Sequence, residues 1–254
     1  MEYDTGIALV ARLLANPARA AMLDVLLDGE AHTAGELARG AGVAPSTASR
    51  HLAMLFDGGF VSVRRSGRQR RYRLASPVVA RVMESLALLA PPEQVSSLRQ
   101  ATEAHHLRMG RTCYDHLAGR LGIAITDALI ARRVIQVRKD TFDLTRSGRA
   151  FLEGIGIDVA AVRGSRRGFA LACEDWTERR FHLAGAVGAA LCERLFELRW
   201  VRRRPSGRSV VLTAQGRAEL TALLGIGLGT GPGIEPIAGT HVNAVRRSRP
   251  ASVP

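Results

Sequence analysis

Apolar residues return at helical spacing from near the start of the chain. Ile7, Val10 and Leu14 fall on one face of a first helix that ends near Ala15. Asn16-Pro17 is a cap followed by a first-turn proline, so a second helix starts there. Met22, Val25, Leu26 and Leu27 form its apolar side, and Asp28-Gly29 stops it. Thr33-Ala34-Gly35-Glu36 has the spacing of a capping box and opens a third helix, with Leu37 and Ala38 inward and Gly42 just past its end. Pro45 suits the first turn of a fourth helix, in which Ala48, Leu52 and Leu55 make one buried stripe. After Gly58-Gly59 the period changes from helical to alternating. Phe60-Val61-Ser62-Val63 reads as a strand, Ser66-Gly67 as a turn and Tyr72-Arg73-Leu74 as the returning strand. Ser76-Pro77 opens a fifth helix with Val79, Val82, Met83, Leu86 and Leu89 along one side. That is more apolar surface than a small domain can bury alone, and together with the first helix it predicts a dimer interface.

The polar positions carry the first functional reading. Ser46, Thr47, Ser49 and Arg50 lie off the buried stripe of the fourth helix. Short donors and acceptors beside one long cation suit the base edges of a major groove. His51, Arg65, Arg68 and Arg70 are placed to meet phosphates and the minor groove. An ordinary helical domain with a solvated basic loop would share some of this pattern. Turn spacing, polar face and arginine-rich hairpin together favour DNA. The run Val43-Ala44-Pro45-Ser46-Thr47-Ala48-Ser49-Arg50-His51-Leu52, with Gly58-Gly59-Phe60-Val61, Arg65-Ser66-Gly67-Arg68 and Tyr72-Arg73-Leu74, resembles the ArsR/SmtB family of bacterial winged-helix repressors. The resemblance covers about the first third of the chain. It implies a homodimer that binds operator DNA and releases it on a signal such as a metal or a thiol oxidant. A two-fold dimer predicts a palindromic site with half-sites roughly 34 Å apart. The family often places metal-binding cysteines in the helix before the reading helix; here Glu36 to Ala41 has none. Its other frequent site, on the last helix of the winged domain, would have only Glu84. Any sensing is therefore expected in the second half.

That half repeats itself. His116-Leu117-Ala118-Gly119-Arg120-Leu121-Gly122 matches His182-Leu183-Ala184-Gly185-Ala186-Val187-Gly188, 66 residues later. Leu144-Thr145-Arg146-Ser147-Gly148-Arg149-Ala150 matches Leu212-Thr213-Ala214-Gln215-Gly216-Arg217-Ala218, 68 residues later, so the second copy has a longer hairpin. Each copy reads helix, hairpin, helix, like the tail half of a winged helix. Ala118, Gly119 and Gly122 with Ala184, Gly185 and Gly188 permit close approach of two twin units. Either the Arg202-Arg203-Arg204 hairpin gives a second DNA surface, or the pair is a scaffold that holds a signal site; with no full helix-turn-helix before either hairpin, the scaffold is favoured. Residues 93–121 read as helix interrupted at Gly110, and 157–170 as a loop or the start of a strand.

The expected architecture is mainly α with small β hairpins. A winged helix-turn-helix at 1–90 precedes a domain of two winged-helix-like repeats at 91–227 (about 111–158 and 173–227), with Ala90-Pro91-Pro92 between them and a disordered tail at 228–254. Thirty-six Lys+Arg against 23 Asp+Glu give a net charge of +13, which favours polyanionic partners. No run approaches the ~18 apolar residues of a spanning helix. The acidic Met1-Glu2-Tyr3-Asp4 start does not read as a secretion signal, so a cytoplasmic protein without membrane partners is expected. Three cysteines, Cys113, Cys173 and Cys192, argue against a disulfide framework.

Cys113 and His116, three apart, would share a helix face, and Cys173 and His182 stand near the matching place in the second copy. If the copies pack as pseudo-twins the two pairs converge, and Cys₂His₂ suits a zinc-like ion. A small organic effector among Tyr114, His116, Trp176 and His182, thiol redox sensing, or simply buried thiols and capping histidines are the other readings. No nucleophile motif, phosphate loop or paired-carboxylate motif points to an enzyme. The leading function is therefore a homodimeric DNA-binding repressor modulated by a signal at its second domain. A metal-handling protein or enzyme using the Cys/His cluster, or a nucleoid-type binder without sequence preference, are the alternatives.

Overall fold

The structure is a computed structural model that describes residues 6–91, 96–205 and 207–226. Pro92, Ser206 and the expected tail at 228–254 lie outside the described residues. The chain forms two compact units. One takes residues up to Ser96 together with Thr112–Asp115 and Arg204–Ser209; the other takes Ser97–Arg111, His116–Arg203 and the residues from Val210 on.

The first unit runs α1 (Ile7–Leu14), α2 (Pro17–Leu26), β1 (His32–Thr33), α3 (Ala34–Gly40), α4 (Pro45–Asp57), β2 (Val61–Ser66), β3 (Gln69–Leu74) and α5 (Pro77–Leu89). The Asn16 side chain accepts from Arg19 N–H, and Thr33 and Glu36 close both halves of the capping box. Met22, Leu23, Leu26, Leu37, Leu52 and Leu55 fill a core with no measurable exposure. The antiparallel sheet has the order β1-β3-β2, and Gly67, at φ 58°, turns the β2–β3 wing. The apolar faces of α1 and α5 stay open: Ile7 is 67% exposed, Val82 37% and Leu86 43%.

Two arginines are structural. Arg19 donates to the carbonyls of Leu13 and Arg12, tying α1 to α2. Arg208 is buried, its guanidinium held by the Glu84 carboxylate on α5 and lying 3.2 Å from Asp24 on α2. Burial alone would lower its pKa, but Glu84 and Asp24 raise it further. The lone acidic residue of the fifth helix is thus engaged by an arginine.

The second unit runs α6 (Leu98–Met109), β4 (Arg111–Cys113), β5 (His116–Ala118), α7 (Gly119–Ala131), β6 (Ile135–Arg138), β7 (Thr141–Leu144), α8 (Arg146–Gly154), α9 (Val159–Arg163), β8 (Leu171–Glu174), β9 (Phe181–Ala184), α10 (Gly185–Glu197), β10 (Val201–Arg203), β11 (Val210–Leu212) and α11 (Ala214–Leu224). Hairpin, helix, hairpin, helix occurs twice. A four-stranded sheet β6-β7-β8-β9 and two two-stranded sheets, β4-β5 and β10-β11, cover the core around Leu121, Leu129, Ile135, Leu152, Leu195 and Val201. Thr145 and Thr213 each cap the following helix through their side chains. Two expectations are corrected. Residues 93–121 are not one interrupted helix: α6 stops at Met109 and a hairpin follows, turned by Tyr114 at φ 63°. Within 157–170 the expectation fails only in part: Asp158 caps the short helix α9, and residues 164–170 form the loop that leads into β8. No described helix is long and apolar enough to cross a membrane.

Two measurements test this account. Arg208→Met should cost about 3–5 kcal/mol in urea unfolding, because the buried Glu84 carboxylate loses the guanidinium that holds it. Adding Glu84→Leu should restore most of the loss. The second concerns His32, whose Nε2 lies 2.8 Å from Asp28 Oδ2. The hydrogen bond to Asp28 outweighs burial and, with Glu36 and Glu30 nearby, raises the imidazole above 6.5. Its stabilisation is complete below 6.5 and is lost as pH rises through the raised value. The melting difference between wild type and His32→Gln, under about 1 kcal/mol, should therefore shrink as pH climbs; a difference that grows would refute the pairing.

Candidate DNA-binding face and Cys/His centre

The structure brings most of the predicted DNA-contacting residues to one surface of the first unit. Pro45 starts α4, and its stripe Ala48, Leu52 and Leu55 turns inward, which leaves Ser46, Ser49 and Arg50 exposed and Thr47 half-buried. Ser49 Oγ donates to the Pro45 carbonyl, so its hydroxyl oxygen still faces outward as an acceptor. On the wing Arg65, Arg68 and Arg70 are all exposed. The register sets Arg65 directly opposite Arg70 and Arg64 opposite Arg71. Like charges in cross-strand pairs repel, so this hairpin is unfavourable in isolation and is relieved by a polyanion. A cleft of about 800 Å³ runs between α4 and the wing, with Ser49, Arg65 and Arg70 among its lining residues. His51 departs from the group: its ring is half-buried, with Nδ1 3.5 Å from Arg19 NH1, under the helix rather than on its outer face.

The second cluster is built by strands. Cys173 on β8 and His182 on β9 are direct cross-strand partners. Cys113 and His116 flank the Tyr114-Asp115 turn of the other hairpin. They meet across a hairpin and not along a helix, which corrects the expected i, i+3 face. The two imidazoles approach with Nε2 to Nε2 at 3.2 Å. Ligand atoms of Cys113, His116, Cys173 and His182 all lie within 4.8 Å of one another.

Glycines permit this approach. A Cβ on Gly122 would stand 3.8 Å from His182 Cβ, and one on Gly188 would stand 3.3 Å from His116 Cβ. Each repeated glycine lies beside the other copy's histidine. Such a Cβ would also strike the carbonyl oxygens of Leu117 and Leu183, at 2.4 and 2.5 Å. The strands are exchanged in the packing, β5 against α10 and β9 against α7. Thr126 on α7 stitches one such contact: its hydroxyl donates to Gly122 O and accepts from Leu183 N–H.

The helix-turn-helix domain family matches residues 14–64. The HTH-type transcriptional regulator YdfF of Bacillus subtilis, itself described as uncharacterized, is 41% identical over 212 residues, spanning 84% of this chain and 94% of that protein. This chain belongs to the HTH-type transcriptional regulators. Its winged domain is of the ArsR/SmtB type, followed by an additional C-terminal domain. Over the winged region the regulator is 36% identical to the biofilm growth-associated repressor of Agrobacterium fabrum, across 35% of this chain and 77% of that one. It is also similar to the winged domain of Mb0332 from Mycobacterium bovis, a possible ArsR-family regulator, at 27% identity, over 38% of this chain and 98% of that one, with a TM-score of 0.31.

Two predicted effector residues do not join the regulator's cluster as expected. Tyr114 packs in the first unit's core, its N–H donating to Leu27 O and its hydroxyl 3.5 Å from Arg73. Trp176 lies under the Arg111 guanidinium, 4.8 Å from its ring centre. The residue that sequence reasoning missed is Asp175. It is fully buried, 3.0 Å from Arg111 NH2 and 3.6 Å from His182 Nδ1. It also accepts from Gly119 N–H and from the Thr177 hydroxyl and N–H. Burial pushes its carboxyl up, but Arg111, His182, Thr177 and Gly119 together hold it well below the usual carboxylate range. Asp-x-Thr after a strand is an Asx-turn signal that would have marked the turn, though not its partners.

Proposed function

We propose that this regulator is a homodimeric repressor that binds a palindromic operator and answers a signal received by its second unit. The observation that carries the reading is the wing. Arg65 facing Arg70 beside an exposed, polar α4 is a surface whose repulsion a duplex would relieve. Arg50, with Ser46, Thr47 and Ser49, reads bases; Arg65, Arg68 and Arg70 bind phosphates or the minor groove. His51 acts by supporting the helix through Arg19. The open apolar faces of α1 and α5 support pairing of two chains, which would set two reading helices on one face of a duplex. The names of relatives support repression: one is a biofilm growth-associated repressor and another a probable mercury resistance operon repressor. A chromosomal target places the protein in the cytoplasm, with DNA and a second copy as partners and binding, not turnover, as its activity.

Two titrations test it, using genomic fragments selected by the purified protein. Arg68→Ala should weaken binding to all duplexes alike and lower the salt slope by about one, whereas Arg50→Ala should cost about 1–3 kcal/mol on the selected site and little elsewhere. Unchanged affinity in both variants would remove the assignment. Separately, Leu86→Glu should turn a dimer into a monomer by light scattering and abolish tight operator binding. A wild-type protein that is monomeric and still binds the full site tightly would contradict the two-fold reading.

A further inference from the structure

We propose that His116, Cys173 and His182, with Cys113 from the same hairpin as His116, form a binding site for one thiophilic divalent cation of the zinc class. Three features of the second unit point there. First, the imidazole spacing is that of co-ligands. Two nitrogens about 2.0–2.1 Å from a tetrahedral zinc stand about 3.3 Å apart, and the His116 and His182 Nε2 atoms are 3.2 Å apart. Second, Asp175 occupies the far side of His182. The Nδ1 of His182 is buried without a hydrogen-bond partner, and the Asp175 Oδ2 is 3.6 Å away. A small rotation would join them in the carboxylate–histidine–metal arrangement that fixes the ring with Nε2 bare toward the ion. Arg111 and the Gly119 N–H hold that carboxylate in place. Third, the sulfur and nitrogen donors are paired by strand register, Cys173 opposite His182, so the site does not depend on the rotamers of long side chains.

The donor set fits the charge. His182 is fully buried, and Cys113 and His116 nearly so. Two thiols that lose their protons to solvent and two neutral imidazoles give two negative charges against a divalent cation. The occupied centre is then neutral, as a buried site requires. With four protein donors it is a closed site, and soft sulfur ligands favour zinc, cadmium or cobalt over magnesium or calcium. None of the four donors comes from residues 6–91, where α3 has no cysteine and Glu84 is paired with Arg208.

The test uses the full chain, reduced and stripped with chelator, titrated anaerobically with Co²⁺. One equivalent should produce the visible bands of tetrahedral cobalt and a thiolate charge-transfer band, which one equivalent of Zn²⁺ should erase. Cys113→Ser and Cys173→Ser should each lower the charge-transfer band about twofold. His116→Gln and His182→Gln should each weaken cobalt binding at least tenfold. Cys192→Ser, at a buried cysteine outside the cluster, should change nothing. Alkylation of the unmutated protein supplies a second reading that does not depend on the folding of any variant: Zn²⁺ should protect Cys113 and Cys173 and leave Cys192 as it was. Absence of a stoichiometric cobalt spectrum, a charge-transfer band that persists when both Cys113 and Cys173 are serine, or protection confined to Cys192 would overturn the site. None of these readouts uses DNA, so their failure leaves the operator titrations intact, and failure of those titrations leaves this site intact.

Discussion

A carboxylate taken wholly out of water is the constraint on which the second unit depends. Asp175 is kept ionised there by partners at both oxygens: the Arg111 guanidinium and the Gly119 N–H at one, Thr177 and the Glu178 N–H at the other. Those partners come from the hairpin β4–β5, the start of α7 and the loop after β8. The charge therefore fixes where these elements meet, and His182 Nδ1 lies 3.6 Å from one of its oxygens. The loop is stapled locally, since Asp175 accepts from Thr177 and Glu178 within its own turn. Removing the charge would free the turn and the guanidinium at once.

The first unit treats charge in the opposite way. Arg19 and Arg208 are drawn inside, and each finds carbonyls or carboxylates in compensation. Arg65, Arg68 and Arg70 are left outside, with Arg65 directly opposite Arg70. The same residue type thus serves as a rivet in one place and as an unsatisfied electrostatic surface in another. What separates the two uses is the availability of an acceptor within the fold.

This contrast explains what was legible in the sequence. Helix starts were readable at Asn16, Thr33 and Pro45, because capping is a local interaction written in adjacent residues. The inward stripe of α4 and the outward Arg50 followed from periodicity, and the winged motif from the resemblance to the ArsR/SmtB family. The convergence of Cys113, His116, Cys173 and His182 was readable from the doubled His-Leu-Ala-Gly, although its local geometry was not. Three-residue spacing fits a helix as well as a tight hairpin, and only the left-handed Tyr114 decides between them. His51 was misplaced because its neighbour Arg19 is 32 residues away, and Asp175 was missed because its partners lie as far as 64 residues away. Buried polar networks of that reach leave no periodic trace.

The two hairpins join their cysteine and histidine by different routes. One turns through Tyr114-Asp115 alone, the other through Asp175 to Arg180. In the second hairpin strand pairing, rather than loop length, places the two side chains. Loop tips are accordingly at liberty to drift in length and composition while the donor atoms stay put. In this chain one tip is long enough to carry its own buried anion, so the two hairpins perform unequal work.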